Sequence, residues 1–311
     1  MGAVLARAFQ KNGHEVVILS RQAKNHGGVR SVYWDAKSLG PWTAELEGAD
    51  GVINLAGRSV NCRYGPANRQ AIMDSRVEST RVIGEAIRRA QRPPRFWFQA
   101  STATIYAHRF EAGNDEATGI VGGSEPGAPD TWRFSISVAK AWEQAVADTG
   151  PLPHTRTVLL RSALTLSPDR GGIFDVLLGL VRLGLGGTAA DGRQYVSWIH
   201  ERDFVRSIEW LIAHESVHGA VNLAAPSPLP HADFMRLLRE AWGTRIGLPA
   251  TRWMLEIGAF LMRTETELIL KSRRVVPGRL LEGGFQFEFP EWAGAARDLC
   301  ARWKNRGHAS G

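Results

Sequence analysis

Ser20 and Arg21 close a short apolar run, Val16-Val17-Ile18-Leu19, with the composition of a strand buried on both faces of a parallel sheet. An NAD-binding strand of this kind usually ends in Asp or Glu, whose carboxylate takes the ribose hydroxyl. A guanidinium in that place offers several donors in a fixed plane, suited to the extra phosphate of NADP. The plainer reading of Arg21 is a solvated side chain after a strand. Asn54, Ala56 and Gly57 end a second apolar run, VINLAG (52–57), and their small size lets a flat ring or a ribose pass close to the backbone. A third run, FWFQASTATIYA (96–107), reads as a strand entering a polar loop that carries the hydroxyls of Ser101 and Thr102. His200 offers an imidazole that titrates near neutral pH. Its WIH and RDF neighbours nevertheless read as a strand-to-helix junction, and His200, Glu201 and Asp203 make no metal site without a third ligand of convincing spacing.

The elements that must position these groups alternate. GAVLARAF from Gly2 places Val4, Leu5, Ala8 and Phe9 at the spacing of one helical face, with Gly13 as its stop, and VVILSR (16–21) follows as a strand. A complete phosphate-binding fingerprint has its tight-turn glycines before such a helix. This numbering retains at most the last of them, Gly2, so the unit is expected to lack its first strand and half of its phosphate loop. RQAIMDSRVESTRVIGEAIRRA (69–90) is an amphipathic helix ended by Pro93-Pro94. Glycine, proline and acidic residues mark 111–130 as a surface loop, Ser135 to Asp148 as a helix and TRTVLLRSALTL (155–166) as another buried strand. Beyond it, QYVSWIHERDFVRSIEWLIAH (194–214) reads as a short strand, a polar switch at 200–203 and a helix that Asp203 is placed to cap. The apolar 253–270 stretch is expected to form one or two packed helices serving as core or subunit contact, which permits a homo-oligomer.

Composition narrows the function classes. A chain of 311 residues with 44% hydrophobic and 22% charged content builds a sizeable core as one elaborated domain or two joined ones. The net charge of +7 favours acidic ligands but is spread out. Its one modest cluster, Arg88, Arg89, Arg92 and Arg95, suits the wet face of a helix and its exit, and no nucleic-acid module is visible. Cys62 and Cys300 are far apart and show no redox or ligand motif. Neither a secretory leader nor an uncharged apolar stretch of spanning length is seen, since Asp175 and Arg182 interrupt 173–185; a cytoplasmic protein without membrane contact is the expectation.

Taken together, NLAG (54–57), DSRVEST (74–80), LRSALTLSPDRGG (160–172), LVRLGLGG (180–187), SWIHERDF (197–204) and RRVVPGRLLEGGFQFEFP (273–290) cover almost the whole chain. They resemble the atypical extended short-chain dehydrogenase/reductase branch, the NAD-dependent epimerase/dehydratase-like or sugar-nucleotide epimerase-related family. That resemblance implies an α/β fold: a Rossmann-type, mostly parallel sheet over about residues 1–166, joined to a smaller α/β substrate region over 167–311 with a discontinuous boundary. It implies NADP as cofactor and a small hydroxyl or carbonyl compound as substrate. Gly2 matches the last glycine of the family's GxxGxxG loop, and a wrongly chosen start would account for the missing part.

By the same resemblance Thr102 is the active-site hydroxyl, with Ser101 as the adjacent alternative. Such a hydroxyl donates to a substrate oxygen and stabilises charge developing there. Tyr106 takes the aromatic position that lines the pocket, and Arg161 matches an arginine able to meet an acidic substrate group or loop carbonyls. Lys140 takes the lysine position of the Tyr-x-x-x-Lys pair, where it binds the nicotinamide ribose and lowers the pKa of a nearby phenol. The tyrosine position is Ile136, which moves no proton. Two functions remain open: an NADP-linked oxidoreductase or epimerase-like enzyme, and a catalytically inactive NADP-binding regulatory protein.

Overall fold

The computed structural model describes residues 1–22, 28–249 and 270–308, so the helices expected over 253–270 lie outside the described residues except at Leu270. The strands in chain order are β1 (Val17–Ser20), β2 (Arg30–Tyr33), β3 (Gly51–Asn54), β4 (Phe96–Thr102), β5 (Arg156–Ser162), β6 (Leu164–Leu166), β7 (Tyr195–Val196), β8 (Trp198–His200), β9 (Gly219–Leu223) and β10 (Leu229–Pro230). The helices are α1 (Gly2–Lys11), α2 (Pro66–Arg89), α3 (Asp130–Ala147), α4 (Ile173–Arg182), α5 (Glu201–Ala213), α6 (His231–Trp242), α7 (Gly278–Glu282) and α8 (Trp292–His308). None of the described helices is long and apolar enough to cross a membrane.

The main sheet runs β3-β4-β5-β9, all parallel, with helices between its strands as the alternating pattern requires. α1 lays Val4 and Leu5, with Ala8 and Phe9 beside them, into a core shared with Phe96, Phe98, Val158 and Leu160. It ends at Asn12, and Gly13 turns the chain with φ of 84°, a conformation that strains any residue with a side chain. β1 departs from expectation: its four residues are half-buried rather than buried on both faces. Among the described residues β1 bonds only to β2, in parallel, and is not hydrogen-bonded to β3. A strand with one open edge keeps solvent access that a central strand loses.

Three element ends share one cause, side chains that bond their own backbone in competition with the ladder. β3 stops at Asn54, where the turn is expected, because Asn54 Oδ1 accepts from the Ala56 amide at 3.0 Å. β4 stops at Thr102, whose Oγ1 accepts from the Thr104 amide at 3.2 Å and starts a 3-10 turn over Ala103–Ile105. The helix-capping role expected of Asp203 belongs to His200, whose Nδ1 accepts from the Arg202 amide at 3.1 Å. Asp203 instead accepts from the amides of Glu288 and Phe289, both at 2.8 Å, and so fastens a segment near the chain's end onto α5.

The expected strand over 155–166 divides at Ala163: β5 stays in the main sheet, whereas β6 pairs with β8. α3 starts at Asp130, five residues before its expected start, with Pro129 outside its first turn, a position where the missing amide costs nothing. The loop before it is not confined to the surface. Asn114 within it is fully buried and bridged to Val275, and its amide donates to the Arg274 carbonyl at 2.6 Å. A second core gathers Phe174, Trp198, Phe234 and Trp292, with the Phe234 and Trp292 rings stacked 4.2 Å apart.

Burial also makes this fold sensitive to acid. His231 at the start of α6 is pushed down to about 4 by burial, while an unfolded histidine titrates near ~6.5. Because the neutral ring is the form that folds, its contribution is complete above about pH 6.5 and is lost as pH falls toward 4. This single ring then removes about 3 kcal/mol from the stability. His200, fully buried, acts in the same direction. Urea unfolding at pH 7 and pH 4.5 measures the difference, and H231N flattens that part of the profile; an unchanged profile contradicts the assignment.

Candidate active site

The carboxyl ends of β3, β4 and β5 bring Asn54, Thr102 and Ser162 to one edge of the sheet. Asn54, 4% exposed, also donates to Gln99 Oε1 at 3.0 Å, so the turn after β3 is tied to β4. Two residues of DSRVEST then hold that turn to α2. Ser75 Oγ accepts from the Arg58 amide at 2.9 Å, and the Arg76 guanidinium, 4.9 Å from the Trp142 ring, donates to the carbonyls of Arg58 and Ile72. A Cβ on Gly57 would come within 3.3 Å of that guanidinium, so the small residue admits Arg76 as well as any ligand. Burial pushes Arg76 below its ordinary pKa. Neither Ser75 nor Arg76 stood out in the sequence, although their motif did.

Ser20 and Arg21 stand at the carboxyl end of β1. Ser20 Oγ accepts from the Gln22 amide at 3.2 Å; Arg21 is exposed and makes no hydrogen bond or ion pair among the described residues. Gly2 opens α1, and the described protein places nothing within 4 Å of a Cβ built on it. Gly2 stands at the N-terminal end of that helix, where amides and the helix dipole favour an anion.

Lys140 is exposed one turn after Ile136 on α3, and its Nζ lies 3.5 Å from where a Cβ on Gly123 would be. Ile136 is 1% exposed and packs beneath the Gly122-Gly123 loop, with Cδ1 3.0 Å from a Cβ built on Gly122. An apolar side chain therefore fills the position where the resemblance expects a tyrosine. Thr102 is half-buried at the end of β4. Its oxygen is used as an acceptor by Thr104, and its O–H remains a donor.

Arg161, Tyr106 and Ser101 form an internal network instead of facing open space. Arg161 grips Glu143 at both oxygens, Nε to Oε1 at 2.8 Å and Nη2 to Oε2 at 2.7 Å, with side chains 12% and 14% exposed. Its Nη1 donates to the Tyr106 hydroxyl at 3.0 Å, which donates to Asn222 Oδ1 at 2.9 Å, and Ser101 Oγ donates to Glu143 Oε1 at 2.6 Å. Burial disfavours the Arg161 charge, but the Glu143 carboxylate more than offsets it and raises the guanidinium above its ordinary value. Burial also pushes the Tyr106 phenol up. A substrate acid could meet Arg161 only by displacing Glu143.

His200 is far from this edge in role. It is fully buried, stacked 4.0 Å from Phe289, and its Nε2 contacts Asp298 at 3.1 Å. Among the described residues no three His, Cys, Asp or Glu side chains converge as metal ligands.

A basic segment after residue 270 packs against the turn that follows β4. Lys271, 1% exposed, donates from Nζ to the Thr104 carbonyl at 2.7 Å, and Arg273 Nε donates to Thr104 Oγ1 at 3.3 Å. The Ser272 amide donates to His108 Nδ1 at 2.8 Å. Sequence reasoning missed Lys271, His108 and Glu143. The run Lys271-Ser272-Arg273-Arg274 was a usable signal for the first, whereas a lone loop histidine and a helical glutamate carry none.

Residues 1–224 match the NAD dependent epimerase/dehydratase family, and residues 250–299 match a domain of unknown function, DUF1731. The human epimerase family protein SDR39U1 is 30% identical over 304 residues, covering 97% of this chain and 96% of that protein. Epimerase family protein SERP0438 of Staphylococcus epidermidis is 30% identical over 303 residues, covering 96% of this chain and 95% of its own. The crystal structure of human SDR39U1 (isoform2) with NADPH is similar at a TM-score of 0.82 and 28% identity, over 96% of this chain and 95% of that one.

Proposed function

The chain belongs to the NAD dependent epimerase/dehydratase family, and from that membership we propose that it is an NADP-linked oxidoreductase or epimerase-like enzyme acting on a small hydroxyl or carbonyl compound. The observation that carries the cofactor reading is Arg21, an exposed cation without a described partner at the carboxyl end of β1, where a 2′-phosphate needs a planar donor. NADPH in the crystal of the human relative supports it.

The residues present fit such a group. Arg21 and Ser20 would take the 2′-phosphate, and Gly2 stands at the start of α1, where helix amides suit a pyrophosphate. Asn54, Ala56 and Gly57 form the low turn that a ribose or ring crosses, and Lys140 holds the nicotinamide ribose. When bound, the nicotinamide supplies or accepts hydride. Thr102 donates its hydroxyl hydrogen to the substrate oxygen, fixing that oxygen at the sheet edge and stabilising the charge that grows on it.

T102A is therefore expected to lower kcat for a carbonyl substrate by about 100-fold, with NADPH affinity within about two-fold as fluorescence titration reads it. Unchanged turnover would remove Thr102 from the reaction. Ile136 favours the second reading, an NADP-binding regulatory protein without catalysis, in which the cofactor stabilises the fold by mass action alone. Tight NADPH binding without oxidation across a broad carbonyl panel would select that alternative.

A further inference from the structure

With Ile136 in place of a phenol, Thr102 keeps a free O–H at the sheet edge, whereas Ser101 donates to Glu143 and Tyr106 to Asn222. His108 is differently placed. Its ring centroid lies 4.7 Å from that of Trp132 and 4.9 Å from that of Phe110. Trp132, Ile136 and Lys140 recur every four residues on α3 and share one face. Ala107 approaches that face too, with its Cα 2.9 Å from a Cβ built on Gly122, the same position that Ile136 Cδ1 meets at 3.0 Å. The imidazole therefore packs against Trp132, which lies one helical turn before Ile136 on the face that carries Lys140.

Its hydrogen is placed by the backbone. Nδ1 accepts from the Ser272 amide, so the neutral ring carries its proton on Nε2. Nε2 makes no hydrogen bond among the described residues, and the ring is partly exposed. The charged groups that face it are Lys271 and Arg273 from the C-terminal segment and, opposing them, Glu125 and Asp191. Burial comes first, and with the two cations it holds the ring below its ordinary pKa. Protonating Nδ1 would set it against the Ser272 N–H.

We propose that His108 is a catalytic hydrogen-bond donor of this site, its Nε2–H taking the reacting oxygen of a small aldehyde or ketone in place of the missing phenol; this rests on the oxidoreductase reading above. In the reducing direction the carbonyl carbon accepts hydride from the nicotinamide, and the C=O π pair moves onto oxygen. The resulting alkoxide is held by Nε2–H and the Thr102 hydroxyl. Water gives the alkoxide its proton, leaving hydroxide to the buffer. The ring keeps its own hydrogen throughout, and its task is to stabilise charge, as a neutral imidazole does where a cation would be disfavoured.

The test uses the purified protein with NADPH and 4-nitrobenzaldehyde as probe, together with 15N spectra of histidine-labelled protein. H108A is expected to lower kcat about 100-fold, with NADPH affinity within about two-fold of wild type. H108Q, which keeps an N–H at the same reach, should return to within about ten-fold of wild type. The 15N spectrum should show the neutral ring of His108 as the Nε2–H tautomer at pH 7.5. Unchanged kcat in H108A, or an Nδ1–H tautomer at that pH, would overturn the role. Failure of the wild-type protein to bind NADPH would contradict the oxidoreductase reading instead, while the tautomer would still judge the ring.

Discussion

Replacing Glu143 by alanine lowers the stability of the protein by about 3 kcal/mol, because Arg161 is left charged with its main partner gone. The pair is only 12% and 14% exposed, so little solvent reaches the orphaned guanidinium. Ser101 also loses its acceptor, and Arg161, which donates to Tyr106, loses the carboxylate that holds it in place. For a chain of this size the loss reads as a fall in melting temperature of roughly 4–6 °C. Removing both charges is a smaller injury: E143L/R161M should recover more than half of the loss, since apolar groups of similar volume carry no desolvation debt. Thermal unfolding of the two variants at pH 7 decides it. A fall below about 2 °C for E143A would mean that the ion pair contributes nothing net.

The second large effect concerns cofactor choice. R21A is expected to weaken NADPH binding by about 30-fold, the equivalent of about 2 kcal/mol for charge-assisted bonds to phosphate. NADH, which lacks that phosphate, should bind the variant and the wild-type protein alike. R21D should reverse the preference by repelling the phosphate while accepting from the ribose hydroxyl. Because Arg21 is exposed, added salt should narrow the difference between the two cofactors. Equal losses for NADPH and NADH in R21A would place the arginine away from the 2′-phosphate.

Element order was legible because period and breakers carry it: α1, α2, β4 and β5 all appear where apolar spacing, glycine and proline put them. Element ends were not, because they depend on bonds one or two residues long. Asn54 and Thr102 each close their strand with their own side chain, and nothing in the apolar pattern announces that choice. Contacts between distant segments were less legible still. Asp203 reads as a local cap until Glu288 and Phe289 are seen to donate to it across the fold. The site divides in the same way. The places of Asn54 and Thr102 at strand ends and of Lys140 on its helix were visible through motif and position, whereas the commitment of Arg161 to Glu143 and the pinning of His108 by Ser272 join residues far apart in sequence. Such pairings have no periodic signature in a single chain.

The account depends on a dinucleotide lying along the carboxyl edge of the sheet with its 2′-phosphate on Arg21. A 31P titration of NADP+ with the protein tests that contact directly, since a phosphate ester free in solution loses its second proton near pH ~6. The expected result is a 2′-phosphate signal that moves on binding and stays dianionic well below that pH, an effect absent in R21A. A bound cofactor whose 2′-phosphate still titrates as it does in water would contradict the account.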